Sequence, residues 1–100
     1  MEVFVYYEIK GFLPASFIAH KVSGVTNFAS KEQAIEVLEN AIKEWKEQPN
    51  FGKGMAMLDE VVCDLVGGDY IHQFVAKNQR TGIVMEITHR VTKHCIYYNK

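Results

Sequence analysis

The chain has 100 residues, 48% of them apolar and 23% charged, with a formal net charge of −1. Such a composition suits one folded domain spanning residues 1–100 and excludes disordered, fibrous and strongly polyanion-seeking classes. No apolar run approaches the ~18 residues a membrane-spanning helix needs, an acid at position 2 is unlike a secretory leader, and no Asn-x-Ser/Thr sequon occurs, so a cytoplasmic protein without membrane contact is expected. Cys63 and Cys95 match no metal or redox spacing, and are expected to be reduced thiols.

In chain order, Glu2 to Lys10 alternates Val3, Val5, Tyr7 and Ile9 with Phe4 and Tyr6. A strand apolar on both sides is expected to be central or covered on both faces. After Gly11 and Pro14, Ser16 to Val22 offers a weaker strand, expected to pair with the first. Ser30 and Gln33 form a capping box, and Ala34, Ile35, Leu38, Ala41, Ile42 and Trp45 recur at helical spacing, so a helix is expected from Ser30 to about Glu47, closed by Pro49. Glu36, Glu39, Asn40, Lys43, Glu44 and Glu47 fall on its outward side. Met57, Leu58, Val61, Val62, Leu65 and Val66 also recur at intervals of three and four, which favours a second helix from Met55 to Val66. The β-branched pair Val61 and Val62, and the lack of a capping residue, keep a strand open there.

Asp69 to Tyr98 carries the strongest signal, two β-rich runs around Asn78-Gln-Arg-Thr-Gly82. A four-residue loop with Gly82 at positive φ pairs Asn78 with Ile83. Counting outward sets Ala76 opposite Met85, Phe74 opposite Ile87, His72 opposite His89 and Tyr70 opposite Val91, all on the apolar face. The run from Ile83 to Tyr98 would extend ~50 Å as one strand, so a bulge or bend near Arg90 to Lys93 is expected to split it. The sum is an α+β fold: a small two-layer domain with an antiparallel sheet in the order β-β-α-α-β-β and helices packed on one face.

Two imidazoles on facing strands, His72 and His89 beside Tyr70, form the sharpest candidate for ligand binding. They could share a metal, but a third ligand cannot be placed, since Cys95 is too far along its strand and Cys63 and His20 have no position. No metal site and no cofactor is therefore expected. Phe51-Gly-Lys-Gly54 lacks the spacing of a phosphate loop, and Glu60 with Asp64 reads as a solvated acidic pair. The catalytic signatures of serine hydrolases, zinc proteases, dithiol oxidoreductases and dinucleotide enzymes are missing.

Charge is unevenly placed. Lys77, Arg80, Arg90, Lys93 and Lys100 against Asp69 and Glu86 give residues 67 to 100 a net +3, leaving −4 for the rest. With His94, Tyr97 and Tyr98 nearby, weak nucleic-acid binding through this basic hairpin is one alternative, set back by the absence of any recognition motif. Tyr6, Arg90, Tyr97 and Tyr98 instead suggest a sheet edge that could add a strand from a second copy or a protein partner. The reading the residues favour is a non-enzymatic interaction module of the adaptor, inhibitor or accessory-factor class, phage-borne ones included, that dimerises through its sheet. A small-ligand binder or enzyme using His72, His89 and Tyr70 is the alternative.

Overall fold

The computed structural model describes residues 2–11, 28–47 and 54–98. They form an α+β fold with one helix, α1 (Lys31–Glu47), and four strands: β1 (Glu2–Gly11), β2 (Met55–Asp64), β3 (Tyr70–Asn78) and β4 (Val84–Tyr98). The sheet is antiparallel throughout in the order β1-β4-β3-β2. Among the described residues no helix is long and apolar enough to cross a membrane.

Turn chemistry fixes the β3–β4 register. Asn78 Oδ1 accepts from the backbone N–H groups of Arg80 and Thr81 at 2.9 and 3.0 Å, and the Gly82 N–H reaches the Asn78 carbonyl at 2.7 Å. Gly82 has a φ of 76°, which a side chain would strain. The Asn78 N–H then donates to the Ile83 carbonyl at 2.8 Å. Pairing proceeds as expected, with Ala76 opposite Met85, Phe74 opposite Ile87, His72 opposite His89 and Tyr70 opposite Val91.

Ser30 caps α1, its Oγ accepting from the Gln33 N–H at 3.1 Å. The apolar stripe buries Ala34, Leu38, Ala41, Ile42 and Trp45 against Tyr70, Phe74, Ala76, Ile87 and Val91 of the sheet. Trp45 meets Phe74 at 5.3 Å between ring centroids. Phe28, 2% exposed, joins this core and bridges to Tyr7 of β1 through two 2.9 Å backbone bonds.

Three expectations are corrected. Met55 to Asp64 is a strand and not a helix, paired with β3 from Met55↔Asn78 to Asp64↔Tyr70 with a register shift between Met57 and Asp59. Gly67 and Gly68 belong to the turn that follows it, where the Leu65 N–H reaches the Asp69 carbonyl at 2.9 Å. β4 is not split near Arg90 to Lys93: it runs through as 15 residues, and the molecule is accordingly 58 Å long against 26 and 17 Å across. β1 is not central but lies at a sheet edge, with Val3 and Phe4 each 51% exposed. The expected strand at Ser16 to Val22 lies outside the described residues.

Pairing along β4 is staggered. Residues 84–91 pair with β3 and residues 89–98 with β1, so among the described residues of β4 only His89, Arg90 and Val91 are flanked on both sides. Gly11 sits opposite His89 at this waist. A Cβ at position 11 would stand 2.0 Å from His89 Cδ2 and 2.7 Å from Nε2, so the imidazole occupies the space that any other residue would claim. Gly11→Ala should destabilise the fold by about 1–3 kcal/mol through overpacking, and His89→Ala in the same chain should recover part of that loss. Urea denaturation midpoints of the two single variants and the double variant check this.

Candidate functional site

The apolar face of β3 carries two polar side chains into the core. Alternation from Phe74 places Tyr70 and His72 beneath α1, and each needs a hydrogen-bond partner there. Glu39 of α1 supplies one: its Oε1 accepts from the Tyr70 hydroxyl at 2.6 Å and contacts His72 Nδ1 at 2.7 Å. On the other side His72 Nε2 lies 2.6 Å from Glu60 Oε2 of β2. The Lys46 ammonium holds the same oxygen at 2.5 Å and stands 5.6 Å over the Phe74 ring. Tyr70, Glu39, His72, Glu60 and Lys46 thus form one unbroken line between the helix and strands β2 and β3.

Hydrogen-bond accounting assigns the charges. Lys46 first, and His72 second, hold the Glu60 carboxyl below its ordinary range, so it is an acceptor only. His72 faces a carboxylate oxygen at each ring nitrogen, an arrangement satisfied by the imidazolium, whose two N–H groups both donate. Burial, then the Glu39 hydrogen bond, raises the Tyr70 phenol well above its usual value and keeps it a donor. Both ring nitrogens of His72 are thus engaged by carboxylates.

His89 is its opposite. It is 0% exposed, and neither ring nitrogen has a hydrogen-bond partner among the described residues. Burial, then repulsion from His72, lowers it to about 4, with Glu39 pulling weakly the other way. It is a neutral, space-filling imidazole wedged against Gly11.

The structure brings Tyr70, His72 and His89 together as the hairpin register requires. Among the described residues no group of three or more His, Cys, Asp or Glu could hold a metal ion. Cys63 and Cys95 are both free and exposed. His20 and Phe51 to Lys53 lie outside the described residues, and Gly54 is an exposed turn residue. Glu60 and Asp64 are not a solvated helical pair: both lie on the helix-facing side of β2, Glu60 held by Lys46 and Asp64 by Lys31 at 2.6 Å. The Lys31 ammonium also donates to the Leu65 carbonyl at 2.8 Å. Glu39 was missed from sequence because helical spacing sets it on the outward side. The available signal was the need of a buried Tyr70 and His72 for an acceptor from the layer above.

The other candidates separate. Tyr6 stacks on His94 at 4.8 Å and lies 5.8 Å from Phe4, and Tyr97 is 65% exposed. Tyr98 pairs with Glu2 at the far end of β4. Arg90 lies near the waist, 3.7 Å from Asp69. Basic side chains do not gather into one stripe: Lys77 and Arg90 fall on the sheet's outer face, Lys93 on the helix side, and Glu86 sits among the outer ones, bound by Gln73. An open cavity of about 580 Å³ lies over the N-terminal end of α1, walled by Val5, Tyr7, Ile35, Lys31, Asp64 and Val66. The chain matches no protein-family model, no curated protein and no solved structure.

Two outcomes are expected. Glu39→Ala strands two buried donors and should cost about 1–3 kcal/mol, with Glu39→Gln, which keeps an acceptor, losing less in thermal or urea unfolding. The second concerns pH. Unfolded His89 titrates near 6.5 and folded His89 near 4, so between those values only the unfolded chain binds the proton. Stability from this group is complete above pH 6.5, falls as pH drops toward 4, and then levels off after a loss of about 3 kcal/mol. Glu60, whose folded value is lowered, contributes stability above pH 4.5 that is lost at still lower pH. Urea midpoints from pH 7.5 to 4 should show the first fall in the native chain and a much shallower one in His89→Leu.

Proposed function

We propose that the protein is a non-enzymatic interaction module of the adaptor or accessory type that self-associates through its sheet. One observation carries this reading: beyond the waist, residues 2–8 of β1 and 92–98 of β4 form, among the described residues, a two-stranded arm whose outer end, at Val3, Phe4, Val5, Ile96 and Tyr97, is apolar and exposed on both faces. Val3, Val5 and Tyr97 stand on the helix-facing side at 51, 36 and 65% exposure, and Phe4 and Ile96 on the other at 51 and 47%. An isolated two-stranded ribbon is marginal in water, whereas three or more strands with an apolar face are stable. Exposed apolar surface of this extent marks an interaction site.

A second copy suits the arm better than a small ligand suits the histidines. Both His72 nitrogens are committed to carboxylates, and His89 is sealed from solvent. The scatter of basic residues over both faces likewise argues against a nucleic-acid track. With a net charge of only −1, little electrostatic repulsion opposes association. Light scattering should give a mass that rises from monomer toward dimer with concentration. Phe4→Lys with Ile96→Lys should hold the chain monomeric while its far-ultraviolet circular dichroism is retained. A monomer at every concentration up to the millimolar range would overturn the proposal.

A further inference from the structure

His89 is a polar side chain in the core, 0% exposed, and neither ring nitrogen has a hydrogen-bond partner among the described residues, although a buried polar group ordinarily has one. Its surroundings differ on each side. From β3, His72 lies directly opposite, with Tyr70 two residues along; from α1, Glu39 is the charged group that acts on it; along β4, Ile87 and Val91 share its face. From β1 it meets Gly11. With no side chain there, the ring fills the space where a Cβ would stand, 2.0 Å from Cδ2 and 2.7 Å from Nε2.

We propose that His89 is an acid-operated latch on the end of β1: on taking up a proton its ring leaves the core past Gly11 and releases residues 8–11 from β4, while the pairing of β3 with β2 and β4 is kept. The geometry confines the opening to that segment. β1 lies at the sheet edge, so behind Gly11 there is no further strand among the described residues, whereas behind His72 lies β2. Tyr7 is tied on both sides, opposite Lys93 of β4 and to Phe28 through two 2.9 Å backbone bonds, so release stops at residue 8. The segment between is weakly held on its outer face. Lys10 and Arg90 stand directly opposite one another there, and like charges so placed oppose pairing; Lys10 turns to Glu8 at 3.5 Å and Arg90 to Asp69 at 3.7 Å.

Protonation selects between the two states because they differ in what they offer an imidazolium. In the closed state burial, then repulsion from His72, lowers His89 to about 4, with Glu39 pulling weakly the other way. In the open state the ring is in water and titrates near the ordinary value of about 6.5. Between these values only the open state binds the proton, so the ratio of open to closed rises with each pH unit lost, by up to about tenfold, and levels off near 4. Above pH 6.5 the latch is shut. Opening frees the β1-facing edge of β4 at residues 89–91 and uncovers Ile9, which otherwise packs against the core. The latch acts within one chain and holds whether or not two chains associate.

Amide hydrogen exchange followed by NMR reads the latch residue by residue. Because the Asn78 N–H donates to the Ile83 carbonyl and the β4 registers contain no shift, even-numbered residues of β4 aim their backbone groups at β1. The Lys10 and Arg90 amides therefore report the latch, and those of Phe74 and Ile87 report the β3–β4 ladder. Protection at Lys10 and Arg90, taken against an unstructured amide at the same pH, should fall on the order of 20-fold from pH 7 to pH 5 and stay below that at Phe74 and Ile87 throughout. His89→Gln and His89→Leu carry no titrating ring, and whichever of them keeps its circular dichroism should show no such fall. Equal protection at the two pairs of amides at each pH means that the whole chain opens at once, and overturns the latch. So does a fall in a folded variant as large as in the native chain, or the absence of a fall in the native chain itself.

Discussion

The change of partner along β4 is the constraint from which the rest of the architecture follows. Among the described residues of β4, only His89, Arg90 and Val91 have a strand on each side, so these residues join two structures of different character. On one side β2, β3 and the first half of β4 form a three-stranded sheet. On the other, β1 and the second half of β4 form the arm. The waist is fully buried, with His89 and Val91 both 0% exposed, and there the sheet has neighbours on both sides in its plane. Gly11 is fitted to the same point, since the close approach of its backbone to the His89 ring leaves no room for a Cβ.

A core seated on a polar strand has to supply hydrogen bonds from within. Tyr70 and His72 alternate with Ile71 and Gln73 on β3, so they cannot leave the helix-facing side without slipping the register and exposing Phe74. Glu39 and Glu60 answer that constraint from the helix and from β2, and Lys46 balances the charge they bring. Burial, and after it the neighbouring His72, makes a buried cation at His89 unfavourable. The two histidines thus take opposite roles: His72 bridges Glu39 and Glu60, and His89 fills space without a hydrogen-bond partner among the described residues.

What was legible in the sequence follows the same physics. The β3–β4 register could be counted from Asn78 and Gly82 because a short turn and strict alternation leave one solution, and α1 could be bounded because its cap and stripe agree. β2 was misread for a specific reason. The register shift between Met57 and Asp59 inserts a residue that changes the parity of the strand, so Leu58 and Val61 no longer alternate cleanly with Met57 and Val62, and the broken period of two resembles spacings of three and four. The unbroken length of β4 was not legible, since nothing local to Arg90 or Val91 reveals that one neighbour stops where another begins. Glu39 was hidden for the converse reason: its own helix assigns it to solvent, and only the sheet below makes it an acceptor.

The helix cannot complete the molecule alone. α1 has 17 residues and is about 25 Å long, less than half of the 58 Å axis. Lys31 ties its first turn to Asp64 and Leu65, and Lys46 ties its last to Glu60, so both ends of the helix are joined to β2 and the turn after it. The side chains left beyond it, Val3 and Phe4 on β1 and Ile96 and Tyr97 on β4, are those that a sheet interior would select. Among the described residues two strands lie there, and these side chains stay exposed on them.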